Sequence, residues 1–168
     1  MDYKIEAIRI LLNEDCVLQR YYPLIPYKEA LIRNLKSRNI GTKQAAAALS
    51  DDALIQTGLP DAETANLFRR FLCMYDVPKS KIKELQKDAT NEPFRALCLL
   101  PGVRIARARL YCAAGYQTLG AIAAASPDKI LRDTENAILQ NAWSLKALLP
   151  KEIRTHIAVA KAYTEYAV

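Results

Sequence analysis

The feature that most restricts what this 168-residue chain can fold into is a match with itself at a shift of 76 residues. The shift lays segment 22–55 on segment 98–131. Leu24 then falls on Leu100, Lys28 on Arg104, Ala30 on Ala106 and Arg33 on Arg109, while Thr42 meets Thr118, Ser50 meets Ser126 and Asp52 meets Asp128. Alanine matches carry little information in so alanine-rich a chain. The Thr and Ser matches carry more, because a hydroxyl just ahead of a helix accepts from the open amides of its first turn. A recurrence of helix starts at a fixed period predicts two related helical units.

Apolar spacing supports helices throughout. Ile5, Ile8 and Leu12 predict an N-terminal amphipathic helix, and a second short one runs through Cys16, Leu18 and Tyr21 to Pro23. Pro23 and Pro26 predict a bend. Segment 28–38 reads as a helix, stopped by Asn39 in a left-handed conformation. Thr42 and Ser50 cap short helices, and Leu59-Pro60-Asp61 opens a longer one carrying Leu67, Phe68, Phe71 and Leu72. The charged stretch 79–87 predicts a linker helix. Beyond it come helices at 92–99 and from Arg104, Thr118 and Pro127, a long amphipathic segment through Ile138, Trp143, Leu145 and Leu148, and a last helix over 153–166. No segment alternates as a strand does. The expectation is an all-α chain: a helical unit over 1–78, a linker over 79–91 and a second unit over 92–168.

Composition narrows the function. The net charge of +6 and pI near 9.2 suit an anionic partner. Cys16, Cys73, Cys98 and Cys112 form no closely spaced pair, and the one histidine, His156, is far from all of them in sequence, so no metal site is expected. Asp51 with Asp52, and Asp61 with Glu63, sit where acids complement a helix dipole rather than where a catalytic pair is needed. His156 reads as a surface or boundary residue, Trp143 and the nine tyrosines as packing residues, and no glycine-rich phosphate loop is present. No signal peptide and no apolar run of membrane-spanning length is legible, which predicts a cytoplasmic protein. No catalytic residues, metal or cofactor are expected, and the chain reads as a non-enzyme.

Residues 100–131 carry a resemblance. Leu100-Pro101-Gly102-Val103, the small Ala108, Ala114-Gly115-Tyr116, Thr118-Leu119, Ile122-Ala123, Ser126-Pro127 and Ile130-Leu131 together resemble the helix-hairpin-helix motif and its following helices. The pattern is found in DNA repair, recombination and transcription proteins, and its tandem form is similar to helix-hairpin-helix domains of bacteria and archaea. The resemblance implies two tandem helix-hairpin-helix units, the first degenerate, with flanking N- and C-terminal helices.

It also implies a function: duplex DNA held through its phosphates, without sequence preference. The turn would lead into a helix whose first amides lack internal partners and cradle a phosphate, with a hairpin in each unit gripping the two strands across a minor groove. The residues so implicated are Gly102, Val103, Arg104 and Arg107, with Lys28 standing in the first unit where Arg104 stands in the second. Three departures accompany the match. Arg104 occupies the second glycine position, Pro26-Tyr27-Lys28 replaces the whole Gly-x-Gly core in the first unit, and Leu31 replaces the basic residue matching Arg107. The alternative expectation is a protein-interaction or scaffold role, with an exposed apolar patch on Tyr21, Tyr22 and Tyr27 or on Tyr163, Tyr166 and Val168.

Overall fold

The computed structural model describes residues 2–77, 81 and 92–168. Ten α-helices occur among them: α1 (Ile8–Leu11), α2 (Lys28–Ser37), α3 (Lys43–Ala47), α4 (Asp51–Ile55), α5 (Ala62–Cys73), α6 (Glu92–Leu97), α7 (Ile105–Ala113), α8 (Leu119–Ala124), α9 (Pro127–Gln140) and α10 (Pro150–Thr164). Two 3-10 helices, Ile5–Ala7 and Gln19–Tyr27, precede α1 and α2. Among the described residues β-structure is limited to two isolated bridges, so the all-α expectation holds.

The chain divides into two compact units, Met1–Asp76 with Glu165–Val168, and Val77–Thr164. The last four residues thus leave the C-terminal segment to which the sequence assigned them. The expected linker over 79–91 lies outside the described residues, apart from Lys81.

The first unit packs α2 to α5 and the Gln19–Tyr27 helix around Leu24, Leu31, Ile32, Leu35, Leu54, Phe68 and Phe71. Gln19–Tyr27 corrects the expected short helix and bend. Both prolines lie inside a nine-residue 3-10 helix. Its period of three buries Tyr21 and Leu24 while Pro23 and Pro26 stay exposed, and the φ that proline enforces is one a 3-10 turn needs. Tyr21 meets Phe71 edge-on, with ring centroids 5.8 Å apart. The tyrosine patch expected near residues 21–27 is therefore no surface: Tyr21 is core, and Tyr22 and Tyr27 are half-buried.

In the second unit α10 packs on α8 and α9, α9 on α7, and α7 on α6. Ile153, His156, Ile157 and Ala160 lie at helical spacing along the buried side of α10. The long amphipathic segment expected past Ile138 is absent. Helix α9 stops at Gln140, and Ala142 turns left-handed at φ 50°. The Trp143 amide then reaches back to the Ile138 carbonyl at 3.1 Å, and the Asn141 side chain takes the Ala137 carbonyl at 2.8 Å. The first bond satisfies a carbonyl that a continuing helix would have used, and the second adds a donor to the Ala137 carbonyl, which already accepts the Asn141 amide.

Local conformation recurs at the sequence period. Asn39 and Gly115, 76 positions apart, are both left-handed, at φ 60° and 93°. The amide following each reaches five residues back, Ile40 to Leu35 at 3.0 Å and Tyr116 to Tyr111 at 2.8 Å. Thr42 and Thr118 cap α3 and α8, and Ser50 and Ser126 cap α4 and α9, each accepting from the amide three residues on. The two segments differ ahead of these features. The Gln19–Tyr27 helix runs directly into α2, whereas a tight turn separates α6 from α7.

Candidate nucleic-acid interface

That turn is Leu100-Pro101-Gly102-Val103. The Val103 amide donates to the Leu100 carbonyl at 3.2 Å, proline fixes φ at the second position, and Gly102 has φ +72°. This combination is a type II turn, which demands positive φ at its third residue. Glycine is required here by the backbone. A Cβ at Gly102 would meet nothing within 4 Å, so a side chain there is opposed by the dihedral angle and not by lack of space.

Helix α7 begins immediately after the turn. Helices α3, α4, α5, α8 and α9 each start behind a capping Thr, Ser or Asp side chain. Helix α7 starts behind Arg104, whose side chain makes no capping bond. Arg104 is extended at φ −114°, a conformation open to any residue, so the missing second glycine costs the backbone nothing. Gly102, Arg104, Ile105 and Ala106 are exposed, while Val103 is fully buried and anchors the turn in the core. The positive end of a nine-residue helix therefore opens at the surface with an arginine beside it.

The remaining implicated residues are placed differently. Arg107 does not share a free edge with Arg104. Its guanidinium donates to the Lys146 carbonyl at 2.6 Å and lies 4.0 Å from the Glu152 carboxylate, with its side chain 23% exposed. Arg107 ties the irregular segment before α10 to α7, and that engagement removes it from the expected phosphate contact. Lys28 belongs to the first unit. Its amide closes the preceding 3-10 helix by donating to the Ile25 carbonyl, and its Nζ donates to the Leu12 carbonyl at 3.2 Å. No open helix start exists at Lys28.

Two cations that the motif did not single out stand near the turn. Lys81 donates to the Leu100 carbonyl at 3.5 Å. Lys146 is exposed, and its backbone is bound to Arg107 in the first turn of α7. Nothing local in the sequence places Lys146 there, because the contact spans 39 residues and a segment expected to be helical.

His156 corrects another expectation. It is 1% exposed, not a surface residue, and lies directly beneath the turn. A carbonyl only accepts, so Nε2 donates to the Pro101 carbonyl (2.9 Å) and Nδ1 accepts from the Tyr111 hydroxyl (2.6 Å). Burial holds the imidazole below its ordinary pKa and pushes the Tyr111 phenol far above its own. Nearby, Asp133 accepts from Tyr116 at 2.7 Å and from Lys129 at 2.5 Å. The bond from Lys129, then that from Tyr116, draws its carboxyl down from the usual range.

Among the described residues no three His, Cys, Asp or Glu side chains gather as metal ligands, and no helix is long and apolar enough to cross a membrane. No protein-family model matches the chain, and no solved structure matches it.

Proposed function

We propose that the protein is a non-catalytic module that binds duplex DNA through its phosphates, using the turn Leu100–Val103 and the open start of α7 as one arm of a tandem helix-hairpin-helix arrangement. The observation that carries this reading is the exposed start of α7 behind a Pro-Gly turn, with no side-chain cap where α3, α4, α5, α8 and α9 each have one. A helix start left open at the surface suits an anion, because its amides and dipole both favour negative charge. The recurrence of caps and left-handed residues at 76 positions supports two units of common origin. Only the second carries the hairpin turn. Arg104, with Lys81 at the turn, supplies the charge, and the contact is blind to base sequence.

Fluorescence anisotropy with a labelled duplex tests the proposal. Affinity is expected to fall by roughly three- to fourfold per phosphate contact between about 50 and 200 mM salt. Arg104→Glu is expected to weaken binding several-fold with helical content unchanged, and to flatten the salt slope by about one contact. Absence of binding at low salt, or an Arg104→Glu variant that binds like the parent, refutes it.

A further inference from the structure

We propose that His156 and Tyr111 are positioning residues for the hairpin: by holding the Pro101 carbonyl inward they aim the Gly102 amide outward. The argument is geometric. The Pro101 carbonyl and the Gly102 N–H belong to one planar peptide unit, and the described residues contain no cis bond. In a trans unit the C=O and N–H point in opposite directions. A carbonyl fixed on a ring at 2.9 Å beneath the turn therefore directs the Gly102 N–H away from that ring, on the side where Gly102 is exposed. A type II turn can convert to type I by rotating this peptide alone, and the bond from His156 opposes that rotation.

Tyr111 completes the device by fixing the tautomer. Its hydroxyl donates to Nδ1, which leaves the ring proton on Nε2, facing Pro101. Its own helix is α7, so one side chain links the turn to the helix start it precedes. Protonation of the ring would turn Nδ1 into a donor facing a hydroxyl that had been donating to it, inside a buried site. The charged groups bearing on the ring are Glu152 from α10, Arg107 from α7 and Lys81 beside the turn. Helix α8 has no ionisable side chain, and Lys129 and Asp133 of α9 are bonded to each other and to Tyr116. Two of the three facing charges are cations that oppose a further positive charge, while Glu152 favours it; burial is the larger effect and keeps the ring neutral.

The consequence for DNA rests on the function proposed above, while the consequence for the turn does not. The test is an NMR titration of the full-length protein from neutral pH to about pH 5, below the ordinary imidazole value, following the His156 ring and the Gly102 amide. In the parent protein the Gly102 resonance is expected to move with the ring. His156→Gln keeps a donor and an acceptor but does not titrate, so Gly102 should then start near its parental position and stay there. Tyr111→Phe should raise the midpoint of the ring, since it removes the bond that favours the neutral form. A Gly102 amide that ignores the ring, or that moves equally in His156→Gln, overturns the proposal. Duplex affinity forms the second arm. Acid should weaken the parent by about fivefold more than His156→Gln, the equivalent of one hydrogen bond. If Gly102 moves as expected while affinity does not discriminate the two proteins, the positioning role stands and the DNA reading fails.

Discussion

Two residues with left-handed backbones make opposite forecasts. Gly102 needs its φ of +72° for the type II turn, and Ala142 adopts φ 50° although it carries a Cβ. The left-handed region costs an ordinary L-residue roughly 1–2 kcal/mol. Gly102→Ala should therefore destabilise the protein by about that amount, although the new methyl has room, and Ala142→Gly should stabilise it by about 1 kcal/mol. Urea titrations followed by circular dichroism measure both. A neutral Gly102→Ala would show that the turn is not type II in solution. At this scale the sequence was readable wherever partners are three residues apart. Thr42, Ser50, Asp61, Thr118 and Ser126 all cap as their positions indicated. The burial of His156 is not legible locally, because its partners are 45 and 55 residues away. The one local clue was its place between Ile153, Ile157 and Ala160 on a buried stripe, where a polar residue must find partners.

Among the elements, α10 illustrates what a buried ionisable group does to stability. Burial lowers the pKa of His156 in the folded state. Well above the ordinary value of 6.5 the ring is uncharged in both folded and unfolded chains and contributes no pH dependence. Below the ordinary value of 6.5 the unfolded chain takes up a proton that the folded one resists, so stability is lost as pH falls. The slope from this one group is at most about 1.4 kcal/mol per pH unit. Denaturation midpoints of the parent and of His156→Gln should diverge below that value and run parallel above it. Parallel curves throughout would mean that the ring is readily protonated in place. Element boundaries were less legible than element existence. Periodicity alone could not show that α9 ends at Gln140, since Trp143, Leu145 and Leu148 continue the apolar spacing. What ends the helix is the set of backbone and Asn141 bonds that close its last turn. The proline-bearing 3-10 helix is illegible in the sequence for a related reason. Proline signals a break in α-geometry and says nothing about a period of three.

Across the whole molecule, the order of the chain departs most from what composition and motifs suggest. The first unit contains both the beginning and the end of the described chain, because Tyr3 bridges Ala167 and the Lys4 amide donates to the Tyr166 carbonyl at 2.8 Å. The same short segment is held on its other side by Lys4 bridging Thr42, with the Ile5 amide on the Gly41 carbonyl and the Lys43 amide on the Tyr3 carbonyl, each at 2.9 Å. Residues 165–168 thus complete the first unit, and all of the second unit lies between them and the rest of it in sequence. Closing so long a loop costs entropy that grows only slowly with length, so a small set of backbone bonds can hold it shut. Deleting residues 165–168 should lower the stability of the first unit by about 1–2 kcal/mol, from the lost bond between the Lys4 amide and the Tyr166 carbonyl and the reduced cover over the buried Tyr3. Amide hydrogen exchange resolves the effect by unit. Lys4, Ile5 and Lys43 should lose protection, whereas Val103, Tyr116 and Ile130 should keep theirs, because their bonds lie wholly within 77–164. Uniform loss across both units would mean that the two unfold together.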